Sequence, residues 1–533
     1  LRCGKLIFRG IYNVRGREDN VGNMGDITDL EKIIRENLRV QSVGAEQIPY
    51  IDTTGALPAV KSRQNDVVFA RRGCGKTLLL HASAKEMSAK DIVVYVNCED
   101  YKNHTIPNLV IEILDKVFFE IESNISTWFW GKSKKAKSII SEIRLELNRL
   151  REKPDQRQEE IKETTHRETK DGLGAGLKGG EFLNISGGSE ESIKAGTERQ
   201  YKKIDSKIEK LNQLLPQLKN KMRDFFRIYN GKVENIFLQV DDFYHIKRET
   251  QPYVVDYIHR FCKDIPIFFK IATLRHASTL FVERNGQPIG AQERQDFQPI
   301  EIDFTLEDFP KTEKQIKQIF YKFGELAKIS SEQIDDLFQG GGFKRLVLAG
   351  GGVPRECLSL FLQVLENIKN NNSGKIGTDE IRNLSRSTLQ KRIQELKDDS
   401  QQDEHNPLLK GISAIRTFCE TAKNNVFMVP DILLREDNKV ERLIYRLLDH
   451  KIIHSVGSAF TNKSQAGTFH AFMIDIGCYA NLRKLSGKMK EIDLSETDAK
   501  EQIRSAPILT GELLKNIWEN TPDDPEKAIL SEE

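Results

Sequence analysis

Residues 70 to 77 read Ala-Arg-Arg-Gly-Cys-Gly-Lys-Thr and directly follow the apolar run Val67-Val68-Phe69. A chain of phosphates needs backbone N–H groups aimed at its oxygens, small residues that let the main chain approach, and a cation. Gly73, Gly75 and Lys76 supply these. The Thr77 hydroxyl is the residue type that ligates a Mg²⁺ ion carried by such phosphates. Leu78-Leu79-Leu80, Ala82 and Ala84 continue as an apolar helix whose N-terminal dipole would face the same anion. The expected lining of a triphosphate site is therefore Ala70, Arg71, Arg72, Gly73, Cys74, Gly75, Lys76, Thr77 and Leu78.

A metal on the phosphates also needs a carboxylate from the end of a neighbouring strand. The run from Ile236 to Val240 reads as a buried strand and ends in Asp241-Asp242. Asp241 is the expected Mg²⁺ ligand, directly or through water, and Asp242 the group that orients or deprotonates an attacking water. A third strand, from Ile267 to Ala272, leads into Thr273-Leu274-Arg275. Its polar end would join the other two at the carboxyl edge of a parallel sheet, where open α/β sheets hold ligands. Thr273 and Arg275 are thus candidate sensors of the terminal phosphate. Further on, Gly350-Gly351-Gly352-Val353-Pro354-Arg355 precedes an apolar-periodic segment from Cys357 to Ile368. Proline suits a first helical turn, but an arginine there opposes the helix dipole, which gives Arg355 a task outside the helix.

Stepping from these residues to what must hold them, strands at 67–69, 92–96, 236–240, 267–272 and 300–304 alternate with helical patterns. The fold class is α/β, a mostly parallel sheet with helices on both faces. The order of parts resembles the AAA+ and STAND superfamily of P-loop ATPases, within it the initiator-type branch related to origin-recognition proteins, over most of residues 27 to 480. The resemblance implies that residues 70 to 77 are Walker A, Asp241-Asp242 Walker B, Thr273 to Arg275 the sensor-1 region, and Gly352 to Arg355 sensor 2 on an α-helical lid. It implies ATP and Mg²⁺ as cofactors, and an ATPase. Two departures matter. Many AAA+ motors carry glutamate where this chain has Asp242, which points to slow turnover, and the trans-acting arginine has three candidates, Arg260, Arg284 and Arg294.

The nucleotide core is split in sequence. Residues 1–23 read as an N-terminal extension, 24–130 as the first part of the core, 131–231 as an insertion and 232–305 as its second part. The insertion carries Ile140, Ile143, Leu147 and Leu150, then Ile204, Ile208, Leu211, Leu215, Leu218, Met222, Phe225 and Tyr229, a coiled-coil spacing. It is expected to be an antiparallel helical hairpin projecting from the core, with Pro216 kinking one arm. Near its tip, Gly174, Gly176 and Gly179 match GxGxxG but follow a polar run rather than a strand, so they are not read as a dinucleotide site. Residues 306–397 should form the lid and 398–406 a polar linker. Residues 405–483 have the succession of a winged helix, and 484–533 a tail in which Ile508 to Trp518 forms a docked or partner-binding helix.

With 533 residues the chain exceeds one core. Its net charge of +2 gives no bulk attraction to nucleic acid, so any such site must be a local patch. Lys439, Arg442 and Arg446 on the expected recognition helix, with Lys463 in the wing, are candidate phosphate contacts for double-stranded DNA. Seven cysteines without zinc spacing read as a reducing cytoplasm, and no apolar run reaches membrane-spanning length. Two functions stand side by side: an ATP-dependent, initiator-like switch acting on DNA, and a defence or signalling ATPase that senses a protein partner through the arm and winged helix. Either would assemble as a homo-oligomer in its ATP state.

Overall fold

The computed structural model describes residues 27–38, 49–125, 131–152, 190–371, 374–399, 402–479, 489–522 and 524–530. The expected extension at 1–23 and the glycine-rich tip at 174–188 lie outside them.

The nucleotide core is a five-stranded parallel sheet. Its strands are β1 (Asp66–Phe69), β2 (Asp91–Asn97), β3 (Asn235–Asp241), β4 (Ile267–Thr273) and, after a hairpin, β7 (Gln298–Glu301). The spatial order is β2-β3-β4-β1-β7. Strand β3 is buried along its whole length, whereas the edge strand β2 alternates. The chain leaves β1 and crosses β4 and β3 to reach β2, so the strand order reverses beside β1 and the loop after it opens onto the crevice that reversal creates. The strand expected at 300–304 ends at Glu301, because its partner β1 is only four residues long and pairs as far as Phe69–Glu301. Ile302 and Asp303 are thereby free to turn over the loop. The intervening hairpin, β5 (Phe281–Arg284) and β6 (Gln287–Gly290), turns at Asn285-Gly286 with φ of 51° and 73°, the Asn-Gly pair that such two-residue turns favour.

The insertion corrects its expectation in part. Helices Lys132–Arg151 and Glu190–Ile228 run antiparallel, with Lys221 Nζ 3.3 Å from Glu142 and 3.1 Å from Glu146, and Lys207 Nζ donating to the Arg151 carbonyl at 3.3 Å. Pro216 lies inside the second helix. The seam does not project, however. Leu147, Leu150, Leu211, Leu218, Met222 and Phe225 are buried in the same core as β2, β3 and helices Asn108–Asn124 and Gln251–Cys262. The Tyr257 hydroxyl donates to the Leu211 carbonyl at 3.0 Å, fixing the second helix to the sheet domain near the level where the first helix ends.

Helices Phe309–Leu326, Ser331–Asp336, Gly342–Ala349, Pro354–Asn371 and Thr378–Asp399 follow the sheet, and the N-terminal helix Ile27–Asn37 packs on the first and fourth of them. The expected linker at 398–406 is nearly absent, since helix Gln402–Ala422 starts at once. Its polar first residues break no helix, and Leu408 and Ile412 already bury its apolar face. Strand β8 (Val426–Pro430), helices Asp431–Glu436 and Asn438–Asp449, and strands β9 (Ile453–Phe460) and β10 (Phe469–Ile474) come next. They form an antiparallel sheet ordered β8-β10-β9, with the helices and strands in the expected succession. The segment around Ile508 is docked. The Met428 N–H donates to the Pro507 carbonyl and the Leu509 N–H to the Met428 carbonyl, and Leu514 and Trp518 of helix Gly511–Glu519 are buried. No helix among the described residues is long and apolar enough to cross a membrane.

Candidate functional site

Between β1 and helix Lys76–Lys85, Gly73 and Gly75 adopt φ of 88° and 91°, a backbone region that side chains other than glycine's resist. This curls the loop around the helix N-terminus. Lys76 is buried and its ammonium donates to the carbonyls of Ala70 at 2.9 Å and Arg71 at 3.3 Å. Burial lowers its pKa, against the opposing effects of Cys74, Asp242 and Asp241. A phosphate oxygen would exchange those two carbonyls for a full negative charge, so the loop is set to gain on binding an anion.

Asp241, 1% exposed, ends β3 directly behind the loop. It accepts from the Tyr95 hydroxyl at 2.8 Å, from the Asp242 N–H at 2.8 Å and from Thr77. Burial raises its pKa and Asp242 adds to that, while the hydrogen bonds oppose it. The Thr77–Asp241 contact places a hydroxyl and a carboxylate side by side, which fits the donor set of a Mg²⁺ ion. Asp242 sits in the left-handed region, φ 49°, which turns its side chain away from the strand's course.

Arg355 rests on the same loop. Its N–H donates to the Gly73 carbonyl at 3.3 Å, its Nε to the Leu38 carbonyl at 3.1 Å, and a Cβ on Gly73 would lie 2.8 Å from the Arg355 Cβ. Only glycine permits this closeness. Beside it opens a half-open cleft walled by Tyr50, Leu78, Ile319, Phe323 and Leu358, whose apolar and aromatic lining suits the face of a nucleobase. These walls escaped sequence reading because scattered apolar residues on separate helices carry no spacing signal. The structure thus brings together Gly73, Gly75, Lys76, Thr77, Asp241, Asp242 and Arg355.

Other expected residues are engaged elsewhere. The Arg71 guanidinium grips Asp303 through Nε at 2.6 Å and Nη2 at 2.9 Å, and donates to the Gly351 carbonyl at 2.9 Å. Its side chain therefore ties the loop to the segment after β7 and to the helical unit that follows, and is turned away from the position expected for phosphates. Asp303, unforeseen in sequence, is held below the usual carboxylate range by Arg71 despite its burial. Arg72 stacks on the Tyr244 ring at 4.7 Å. Burial, then Asp303, pushes the Cys74 thiol far up, so it is a poor target for alkylation with or without nucleotide. Arg275 pairs with Glu293 at 2.5 Å and with Glu301, and lies over the Phe69 ring at 3.7 Å; it reaches a phosphate only by leaving both carboxylates. The Thr273 hydroxyl is paired with that of Ser278. Of the candidate trans arginines, Arg260 holds Asp256 at 2.8 Å and Arg284 donates to the Tyr253 hydroxyl at 2.9 Å.

The candidate DNA contacts are also relocated. Lys439 is exposed, but Arg442 and Arg446 are half-buried, and Lys463 pairs with Glu501 at 2.5 Å. Helix Asn438–Asp449 faces inward: Tyr445 stacks on His276, three residues beyond β4, with centroids 4.1 Å apart and planes 7° from parallel. Its last residue, Asp449, is buried with Oδ2 lacking a hydrogen-bond partner among the described residues. Burial pushes its pKa up to about 7, against the attraction of Arg446, Arg248, Lys76 and Arg72. Both loop cations thus act on a carboxyl group from the C-terminal unit. The same unit touches the lid, where the His454 ring leaves no space for a Cβ on Gly351, and Ser455 donates to Glu307 at 2.5 Å.

No family model matches the chain, and no curated protein does. Among solved structures it is similar to Drosophila ORC bound to DNA, at 12% identity and a TM-score of 0.34 over 88% of this chain and 96% of the other. Cdc6p from Pyrobaculum aerophilum matches at 11% identity and a TM-score of 0.30 over 92% and 98%. A variant of Thermotoga maritima RuvB matches at 14% identity and 0.31 over 84% and 98%. The assignment of the fold rests on the strand order, the loop and the carboxylates behind it.

Proposed function

We propose that this chain is an ATP-binding, slowly hydrolysing switch of the AAA+/STAND type, in which nucleotide state controls whether the C-terminal winged-helix unit is held against the core or released. One observation supports it above the rest: the helix carrying Arg442 and Arg446 packs beside the end of β4 through the Tyr445–His276 stack, and the charges of Lys76 and Arg72, after those of Arg446 and Arg248, act on its buried Asp449. A terminal phosphate would bring negative charge to the same two cations. It competes with Asp449 for them, and differential contact of this kind is what lets a ligand shift a conformational equilibrium. In the docked state Tyr445 and the two arginines are withheld from a partner; release would present them, with Lys439, to DNA phosphates. Lys76 would hold the β- and γ-phosphates, Thr77 and Asp241 the Mg²⁺, which when bound screens phosphate charge. Asp242 would orient the attacking water, and Arg355 would link the lid to the loop. A homo-oligomer in the ATP state belongs to the same proposal.

Hydrogen exchange tests this reading. With ATP and Mg²⁺, helix Asn438–Asp449 should lose protection in the wild type and keep it in Lys76→Ala. Unchanged protection in the wild type under saturating ATP would refute the coupling.

Docking should also depend on pH. Asp449 has a raised pKa when docked, so docking takes up a proton that the released carboxylate gives off. The contribution is complete below the ordinary carboxylate pKa, falls as pH rises towards about 7, and is fully lost above it. In the range below pH 7 the release equilibrium should grow about tenfold per unit at most. Asp449→Asn should flatten that profile, read as helix exchange between pH 5.5 and 8; a wild-type slope in the variant would exclude Asp449 as its source.

A further inference from the structure

We propose that Glu99, Asp242 and His245 form a divalent cation site of their own, apart from any Mg²⁺ carried by nucleotide, and that it favours ions such as Mn²⁺ or Zn²⁺ that accept a nitrogen ligand. One ligand atom from each of the three side chains lies within 4.8 Å of the other two. An ion bonded at about 2.1 Å draws its ligand atoms to within roughly 4 Å of one another, so small side-chain torsions complete the set.

The backbone explains why the three converge. Strands β2 and β3 are neighbours with Asn97 opposite Asp241, so the turns that follow them emerge side by side. On the first turn, the Glu99 N–H donates to the Asn97 side chain at 3.0 Å, which folds Cys98–Tyr101 back over the strand end. On the second, Asp242 takes φ 49° and its carbonyl accepts from the His245 N–H at 3.0 Å, bringing the imidazole round to the carboxylate. Both turns are thus fixed by hydrogen bonds before any ion arrives. The local field is also negative: Asp241, Asp242 and Asp100 all act on the buried Cys98 beneath the turn, adding to the effect of burial in raising its pKa. Two carboxylates alone would suit Mg²⁺ or Ca²⁺; the imidazole shifts the preference along the Irving–Williams series.

An ion here would take an oxygen of Asp242. That consequence rests on the proposed function, in which Asp242 orients the attacking water, whereas the site itself does not. Mn²⁺ is the probe, added to full-length protein without nucleotide. Electron paramagnetic resonance titration should show a bound ion whose echo modulation reports a directly bonded ¹⁴N. His245→Ala should abolish that nitrogen signal, and Glu99→Gln should weaken binding about tenfold or more, with melting curves confirming that both variants fold. Lys76→Ala, which removes the proposed nucleotide anchor and a positive charge near Asp242, should keep the nitrogen signal and not weaken Mn²⁺ binding, so the cation site and the nucleotide reading fail separately. The proposal is overturned by no binding at millimolar Mn²⁺, by bound Mn²⁺ without a nitrogen ligand, or by wild-type affinity in Glu99→Gln.

Discussion

Asp241→Asn should reduce Mg²⁺-dependent phosphate release by about a hundredfold or more while leaving ATP binding within a fewfold of wild type. The asparagine keeps the shape of the side chain and one acceptor oxygen, which can stay with the Asp242 N–H while its amide NH2 donates to the Tyr95 hydroxyl, so the packing behind the loop largely survives. What it removes is the negative charge. That charge is already strained by burial, which raises the Asp241 pKa, and a cation in front of it relieves the strain. Losing the anchor of a Lewis-acid ion costs several kcal/mol of transition-state stabilisation, and each ~1.4 kcal/mol is tenfold in rate. Asp241→Ala would be a less clean test, because it orphans the Tyr95 hydroxyl, a cost of about 1–3 kcal/mol to the fold itself. Phosphate release and equilibrium nucleotide binding, measured together, separate the two effects. Wild-type turnover in the asparagine variant would remove Asp241 from the metal site.

The parts of the site that were legible in sequence share a property: their chemistry is local. A Gly-Cys-Gly-Lys-Thr run after a strand must curl around a helix start, and β3 announces itself through a mostly apolar body with acids at its end. Arg355 was legible because it sits badly with its own helix. Long-range choices were not. Arg71 and Arg275 have the charge that a phosphate site needs, but whether a cation faces ligand or carboxylate depends on Asp303, Glu293 and Glu301, brought near only by the sheet order. The insertion's heptads show which residues share a face, yet spacing cannot say that helix Asn108–Asn124 packs in the same core. Charges on helix Asn438–Asp449 likewise suggested an outward face, because periodicity fixes which residues share a side and leaves open which neighbour that side meets. The Asn285-Gly286 turn carried a readable signal and was missed.

Arg392→Ala should destabilise the joint between lid and C-terminal unit by ~3–5 kcal/mol, the cost of leaving a buried charge without its partner. Arg392 is 1% exposed; it pairs with Asp475 and donates to the carbonyls of Lys451 at 2.9 Å and Ala349 at 3.1 Å. Asp475 also meets His454 at 3.1 Å and accepts from the Gly477 N–H at 2.9 Å. Burial pushes the Asp475 pKa up, but Arg392 and His454 more than offset it and hold the group below the ordinary carboxylate range. The sign follows: this stabilisation is present above the unfolded carboxylate pKa and is lost as pH falls through the folded one. Removing Arg392 lets Asp475 drift upward, so the variant's deficit should be largest near neutrality and shrink in acid. Arg392→Met with Asp475→Asn, which removes both charges, should recover much of the loss. Urea unfolding at pH 7 and pH 4.5 checks both points. A deficit below 1 kcal/mol, or one independent of pH, would show that the pair does not bind the two units. The same measurement bears on the switch, because the network runs from the loop through Arg71 to Gly351, whose Cα abuts His454, and on to Asp475 and Arg392. If that joint is as strong as its burial implies, release of helix Asn438–Asp449 must proceed by tilting the C-terminal unit about it, with His276 and Tyr445 parting while Arg392 and Asp475 stay together.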